Sequence, residues 1–233
     1  MSRVALVGYQ GKMGKFVQKM LNEHPELQLV VCVGAEDNLS EALSQHQCDI
    51  MIDFTEPEAV YHNAQTAIEA GVRPVIGTTG LTPQALESLS QQCAQQSLGG
   101  IYAPNFSLAV NLTLLYAQHA SRFFSQDITI LESHHRQKKD KPSGTAKYTQ
   151  QKIQALHPEA TIDIHSIRKQ GVIANQDIIF GSPGETLTLS QHTLDRQCFM
   201  QGLAWACLQV TTLDSMVIGL DQLMIEKGFL SDI

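Results

Sequence analysis

The sequence predicts an α/β protein: a doubly wound parallel sheet, followed by a smaller α+β unit built on an open, mixed sheet. Three observations carry that expectation. The first half alternates short, almost wholly apolar runs with helix-like stretches, and strands apolar along their length belong to parallel sheets buried on both faces. A glycine-rich segment, VGYQGKMG at residues 7–14, joins the first such run to the first helix-like stretch. The second half sets its strand-like runs close together, some alternating in polarity, as in Thr186, Leu187, Thr188 and Leu189; that pattern suits a sheet with one covered face.

Taken in order, strands are expected at residues 4–7, 27–33, 50–53, 74–76 and 101–102, with helices near 13–23, 58–70 and 83–96. A long helix at 108–124 then leaves the sheet. Strands follow at 128–131, 161–167, 177–180 and 185–191, with one helix near 145–156. An amphipathic helix at 199–210 packs back on the first unit. A boundary near Ser107 gives a first domain of residues 1–107, completed by 197–233, and a second of residues 108–196.

Composition narrows the function. The 233 residues suffice for one large or two small cores, and 43% hydrophobic content is that of a folded chain. A net charge of −7 disfavours nucleic-acid binding, which needs a basic surface. The opening MSRVALVGYQ reads as a first strand rather than a signal peptide, and no run of about 18 apolar residues predicts a membrane span. Five scattered cysteines (Cys32, Cys48, Cys93, Cys198, Cys207) have no metal-type spacing. They read as reduced thiols of a cytoplasmic protein, with no metal site expected.

Five segments carry chemistry. In VGYQGKMG, Gly8, Gly11 and Gly14 form a strand-to-helix turn whose backbone N–H groups suit a pyrophosphate, although Gln10 stands where a second glycine is usual. After the second strand, Glu36 or Asp37 is the acid for the ribose hydroxyls, and Lys12 is the one nearby cation. IGTTG at 76–80 ends the fourth strand, where ligands sit in such folds; DFTEP at 53–57 ends the third. The densest segment is ESHHRQKKDKPSGTA at 132–146. A histidine there serves as general acid, Lys138 as a fixed charge for a carboxylate, and the Ser143-Gly144-Thr145 turn as a second carboxylate site at a helix N-terminus. Each segment alone also fits a plain structural turn or a solvated basic loop.

Their joint order resembles the dihydrodipicolinate reductase family. The matching pieces are GxxGxMG at 8–14, DFT at 53–55, TTG at 78–80, APNFS at 103–107, ExHHxxKxDxPSGTA at 132–146 and HSIR at 165–168. The resemblance runs over nearly the whole chain. It implies a Rossmann-like nucleotide domain and a second domain for substrate binding and oligomerisation. The implied reaction is NADH- or NADPH-dependent reduction of 4-hydroxy-tetrahydrodipicolinate to tetrahydrodipicolinate, in lysine and diaminopimelate biosynthesis. His134 is then the proton donor and Lys138 a second catalytic group. His135, Lys138, Gly144 and Thr145, with Ser143 of the same turn, hold the dicarboxylate. Gly8, Tyr9, Gln10, Gly11, Lys12, Met13, Gly77, Thr78, Thr79, Ala103, Pro104, Asn105 and Phe106, with Glu36, hold the cofactor. The implied assembly is a homotetramer formed through the open sheet.

The sequence departs from the family pattern in three places. Ala109 stands where many members have Gly. Ala174-Asn175-Gln176 replaces a Gly-Glu-His element and removes a histidine from an expected loop. Gly34 and Ala35 occupy the positions of an acid and a base after the second strand. The departure at Ala174-Asn175-Gln176 keeps a non-catalytic nucleotide-sensing relative open, and a reductase of another small imine or aldehyde stays open because the sequence does not contain the pocket shape.

Overall fold

A computed structural model describes residues 1–229. In chain order its elements are β1 (Ser2–Val7), α1 (Lys12–Glu23), β2 (Leu27–Val33), α2 (Leu39–Gln45), β3 (Ile50–Asp53), α3 (Pro57–Glu69), β4 (Arg73–Ile76), α4 (Pro83–Gln95), β5 (Gly100–Tyr102) and α5 (Leu108–Ala120). There follow β6 (Ile128–His134), α6 (Gly144–Leu156), β7 (Ile162–Arg168), β8 (Ala174–Ser182), β9 (Glu185–Thr193), α7 (Cys198–Val210), β10 (Met216–Ile218) and α8 (Leu220–Glu226). The chain separates into two compact units, residues 1–106 with 199–227 and residues 107–198 with 228–229. The expected completion of the first domain, 197–233, includes residues 230–233, which lie outside the described residues. No described helix is long and apolar enough to cross a membrane.

The first unit holds a six-stranded sheet in the order β10-β5-β4-β3-β1-β2, parallel at every pairing. Ile50, Met51 and Ile52 of β3 and Val4, Ala5 and Leu6 of β1 are all fully buried, which is why these runs show no polar alternation. Each such Leu, Ile or Val contributes roughly 1.5–3 kcal/mol by leaving water. Because β1 lies between β2 and β3, the strand order reverses there and opens a crevice at their carboxyl ends. Three elements escape the sequence reading: α2, β10 and the seven-residue α8. Helix α2 is seven residues long and is capped by the Asn38 side chain, which accepts from the Glu41 N–H at 3.2 Å. Strand β10 is three residues long and gains strand character only by pairing with β5.

The second unit is a four-stranded mixed sheet, β7-β6-β8-β9, parallel between β6 and β7 and antiparallel elsewhere. Its covered face is layered. One rung is Ile162, Ile128, Phe180 and Leu187; the next is Ile164, Ile130, Ile178 and Leu189. Ala117 of α5 and Ala146 and Ile153 of α6 pack on these. The next two rungs of the same face are polar: Ser166, Glu132, Gln176 and Gln191, then Arg168, His134, Ala174 and Thr193.

Three expectations are corrected here. Residues 174–176 are not a loop but the start of β8, where the buried Gln176 donates through Nε2 to Thr149 Oγ1 at 3.0 Å. Strand β6 runs on to His134, because its alternation of covered and open positions continues through Glu132. Helix α5 stops at Ala120 rather than 124, with Ser121 as its C-cap.

Candidate active site

The crevice of the first unit is a cavity of about 960 Å³. Gly8, Tyr9, Gln10 and Gly11 line it on the β1 side and Phe54 and Thr55 on the β3 side. Gly8 has φ +81°, and a Cβ there would overlap the Phe54 carbonyl; a Cβ on Gly14 would lie 2.5 Å from the Tyr9 carbonyl oxygen. The turn therefore admits only glycine at both positions, and its backbone can approach a ligand closely. Lys12 and Met13 open α1 and are not part of the lining. Glu36 is exposed and also outside it, whereas Asp37 lines the cavity, with Oδ2 accepting from the Gly34 N–H at 2.8 Å.

Gly77, Thr78 and Thr79 follow β4, and Ala103, Pro104, Asn105 and Phe106 follow β5; neither group lines that cavity. Gly77, Thr78 and Phe106 gather instead around Phe54 and Asp53. The Phe106 ring lies 6.2 Å from that of Phe54. Asp53, fully buried, accepts at Oδ1 from Thr78 Oγ1 (2.6 Å) and from Thr55 N–H (3.0 Å) and Oγ1 (2.8 Å), and at Oδ2 from Asn63 (2.8 Å). This carboxylate fixes the loops after β3 and β4 to one another, a role the DFT motif alone did not reveal.

In the second unit, strand periodicity of two sets Glu132 and His134 on the covered face of β6. Glu132 is fully buried. Its Oε2 lies 2.5 Å from His134 Nδ1, and Arg168 approaches both of its oxygens at 2.9 Å. Burial opposes its negative charge, but hydrogen bonds from Arg168, Ser166 and His134 prevail and hold the carboxyl at about 2. The ionised Glu132 therefore accepts from His134 Nδ1–H. Burial pushes the His134 imidazolium below its ordinary value; Glu132 acts in the opposite sense, and Lys138 and Arg168 add to the lowering.

Lys138, half-buried, pairs with Asp140 at 2.9 Å. The backbone N–H of Lys138 donates to the His135 carbonyl at 3.1 Å, which turns the loop after β6. Ser143 is the N-cap of α6: its Oγ accepts from the Ala146 N–H at 3.2 Å, and its own N–H donates to Glu132 Oε1 at 3.2 Å. Its polar groups thus shape the turn. Gly144 and Thr145 begin the helix, where N–H groups have no intrahelical acceptor, and space is open around the Gly144 Cα. His134, Lys138 and this helix start are gathered about one carboxylate. Sequence reasoning named Glu132 and Arg168 as parts of motifs but gave them no role. The available signal was the run of alternate positions Ile128, Ile130, Glu132, His134, in which a charge follows core residues on the covered face.

Comparison with known proteins decides the family. Residues 2–106 match the profile described as "Dihydrodipicolinate reductase, N-terminus" and residues 109–224 that described as "Dihydrodipicolinate reductase, C-terminus". The chain belongs to the dihydrodipicolinate reductase family. It is 42% identical over 236 residues to 4-hydroxy-tetrahydrodipicolinate reductase of Coxiella burnetii, covering 95% of this chain and 98% of the relative. The corresponding reductase of Legionella pneumophila is 38% identical over 242 residues, with 96% and 99% covered. Among solved structures, dipicolinate-bound dihydrodipicolinate reductase from Paenisporosarcina sp. TG-14 superposes with a TM-score of 0.86 at 32% identity, covering 95% of this chain and 98% of that one. An amine dehydrogenase from Mycobacterium smegmatis, with a TM-score of 0.71 at 13% identity, covers 95% of each chain and shares the fold.

Proposed function

We propose that this chain reduces 4-hydroxy-tetrahydrodipicolinate to tetrahydrodipicolinate with NADH or NADPH, and that His134 supplies the proton. The observation that carries the proposal is the Glu132–His134 pair beside Lys138 and the open first turn of α6. A ring with two carboxylates needs two anion sites and an acid. Lys138 offers charge and His135 a ring N–H for one carboxylate, and the Gly144 and Thr145 N–H groups offer donors for the other. The dipicolinate held by the Paenisporosarcina relative has this pattern of carboxylates. The Gly8–Gly14 turn suits a pyrophosphate, since Gly8 and Gly14 admit no side chain, and a nicotinamide nucleotide held there supplies a hydride. The reaction consumes that hydride and one proton and releases water. His134 gives the proton to the ring carbon next to the one that is reduced. In this reading residues 1–107 with 197–233 serve the nucleotide, and residues 108–196 serve the substrate and self-association.

The test is oxidation of reduced nicotinamide with the unstable substrate generated in situ. His134→Gln is expected to lower kcat by about 10²–10⁴ with little change in KM for NADH, the scale of a lost general acid. Lys138→Ala is expected to lower kcat and raise the substrate KM together. Wild-type kcat in a folded His134→Gln protein would overturn the reading. The rival of a non-catalytic relative loses its motive, since residues 174–176 form a strand rather than a vanished loop.

A further inference from the structure

We propose that Glu132 and Arg168 are positioning residues for proton transfer: Glu132 holds the Nδ1 proton of His134, so that Nε2 is the atom that gives up the catalytic proton, and Arg168 fixes Glu132 together with the loop bearing Lys138. The inference rests on His134 being the acid of the reaction. Its geometric basis is the set of partners around the Glu132 carboxylate, Ser166 among them. Glu132 Oε1 accepts from Arg168 Nη2 (2.9 Å) and the Ser143 N–H (3.2 Å); Oε2 accepts from Arg168 Nη1 (2.9 Å) and His134 Nδ1 (2.5 Å). Arg168 also donates from Nε to the Lys138 carbonyl (3.3 Å), from Nη2 to the Asp140 carbonyl (2.6 Å) and from Nη1 to the Ile167 carbonyl (2.8 Å).

Every N–H of the guanidinium therefore has an acceptor within the protein, and none remains for a substrate carboxylate. That separates Arg168 from Lys138, whose bond to Asp140 is a single contact on a half-buried side chain. A buried ion pair is weak ground for stability, because desolvation offsets its attraction. This one joins β6, β7, the loop after β6 and the start of α6 at the atoms that surround His134.

The charge facing His134 consists of Glu132 on its own strand, Arg168 on β7, and Lys138 with its partner Asp140 on the loop. Glu132 favours the imidazolium; burial, Lys138 and Arg168 disfavour it. As proton donor, His134 supports a kcat/KM that falls as pH rises through its titration. Removing the carboxylate leaves only the lowering influences, so that fall moves to lower pH. The neutral ring keeps its proton on Nδ1, and the proton passed to the substrate carbon leaves its electron pair on Nε2.

Two measurements on the full chain test this. Proton–nitrogen correlation spectra of the imidazole groups, with His134 assigned by its loss in His134→Gln, should show the neutral ring protonated at Nδ1; protonation at Nε2 overturns the proposal without any change to Glu132. The pH profile of kcat/KM should lose its falling limb in His134→Gln. In Glu132→Gln the limb should shift to lower pH, with activity at pH 7 down about 10²-fold and KM for NADH unchanged. Arg168→Lys keeps the charge without the fork and should raise the substrate KM. A limb that survives in His134→Gln overturns the assignment of His134 as acid, and this proposal with it. A limb that disappears in His134→Gln but stays at the wild-type pH in Glu132→Gln overturns the positioning role alone. Should Glu132→Gln fail to fold, the spectra of the unaltered protein decide.

Discussion

In the proposed role His134 gives its proton only while protonated, and burial, with Lys138 and Arg168 beside it, lowers the pH at which it titrates. A bound dicarboxylate brings negative charge toward the ring and raises its titration point. The profile of kcat/KM reports the free enzyme and that of kcat the complex. The falling limb of kcat is therefore expected at higher pH than that of kcat/KM, whose limb lies below the ordinary imidazole value. Coincident limbs would show that the carboxylates bind away from His134. At the other ligand, Asp37 presents a carboxylate to the β1–β3 cavity and has Lys12, at the start of α1, as the nearby cation named by the sequence. A 2′-phosphate is repelled there, so NADH should serve at least as well as NADPH, and Asp37→Asn should raise the relative kcat/KM for NADPH. A wild-type preference for NADPH above about tenfold, ~1.4 kcal/mol of transition-state stabilisation, would contradict this. The sequence left Glu36 and Asp37 equivalent because both lie in one short turn. Only the direction of the chain after β2, and the Gly34 N–H that holds Asp37 Oδ2, separate them.

At the scale of elements, β6 explains what was legible and what was not. Its apolar start was readable, since Ile128 and Ile130 alternate with Thr129 and Leu131. Its end was not, because Glu132 and His134 look like a solvated loop until Arg168 arrives from β7, 36 residues away. The same holds for Gln176, whose strand register depends on β6 and β9 beside it. Long-range pairing decided these positions and local propensity did not. The carboxylate at that end links stability to pH. Its folded value, about 2, lies below the ordinary 4.5. The stabilisation is complete above the ordinary value and is lost as pH falls from there toward about 2. The difference corresponds to about 3 kcal/mol. Denaturant titrations between neutral pH and pH 3 should show the wild type losing stability over that window, with a flatter profile in a folded Glu132→Gln protein. Equal slopes would mean that other carboxylates dominate the acid response.

At the scale of the molecule, the two sheets differ in how they are finished. The parallel sheet of the first unit has apolar strands buried on both faces, which made it legible from runs such as 4–7 and 50–53. The second sheet has only one face covered by α5 and α6. Its other face carries Thr129, Leu131 and Ser133 of β6, Ile167 of β7 and Ile179 of β8. Ile167 is 44% exposed. Edge strand β9, nine residues long, is exposed over its first four, and an open strand of that length is a pairing surface that folded proteins cover. Self-association over this face would bury Leu131, Ile167 and Ile179 without disturbing the polar rungs on the opposite face, where His134 sits. A homotetramer is therefore expected at micromolar concentration by sedimentation equilibrium. Ile167→Lys with Ile179→Lys should shift it to smaller species, because two charges on a desolvated face oppose association. NADH binding should survive in that variant, since the β1–β3 cavity is formed wholly within residues 7–69. A wild-type protein that sediments as a stable monomer would leave the open face without this role, and loss of NADH binding in the double variant would point to a folding defect instead.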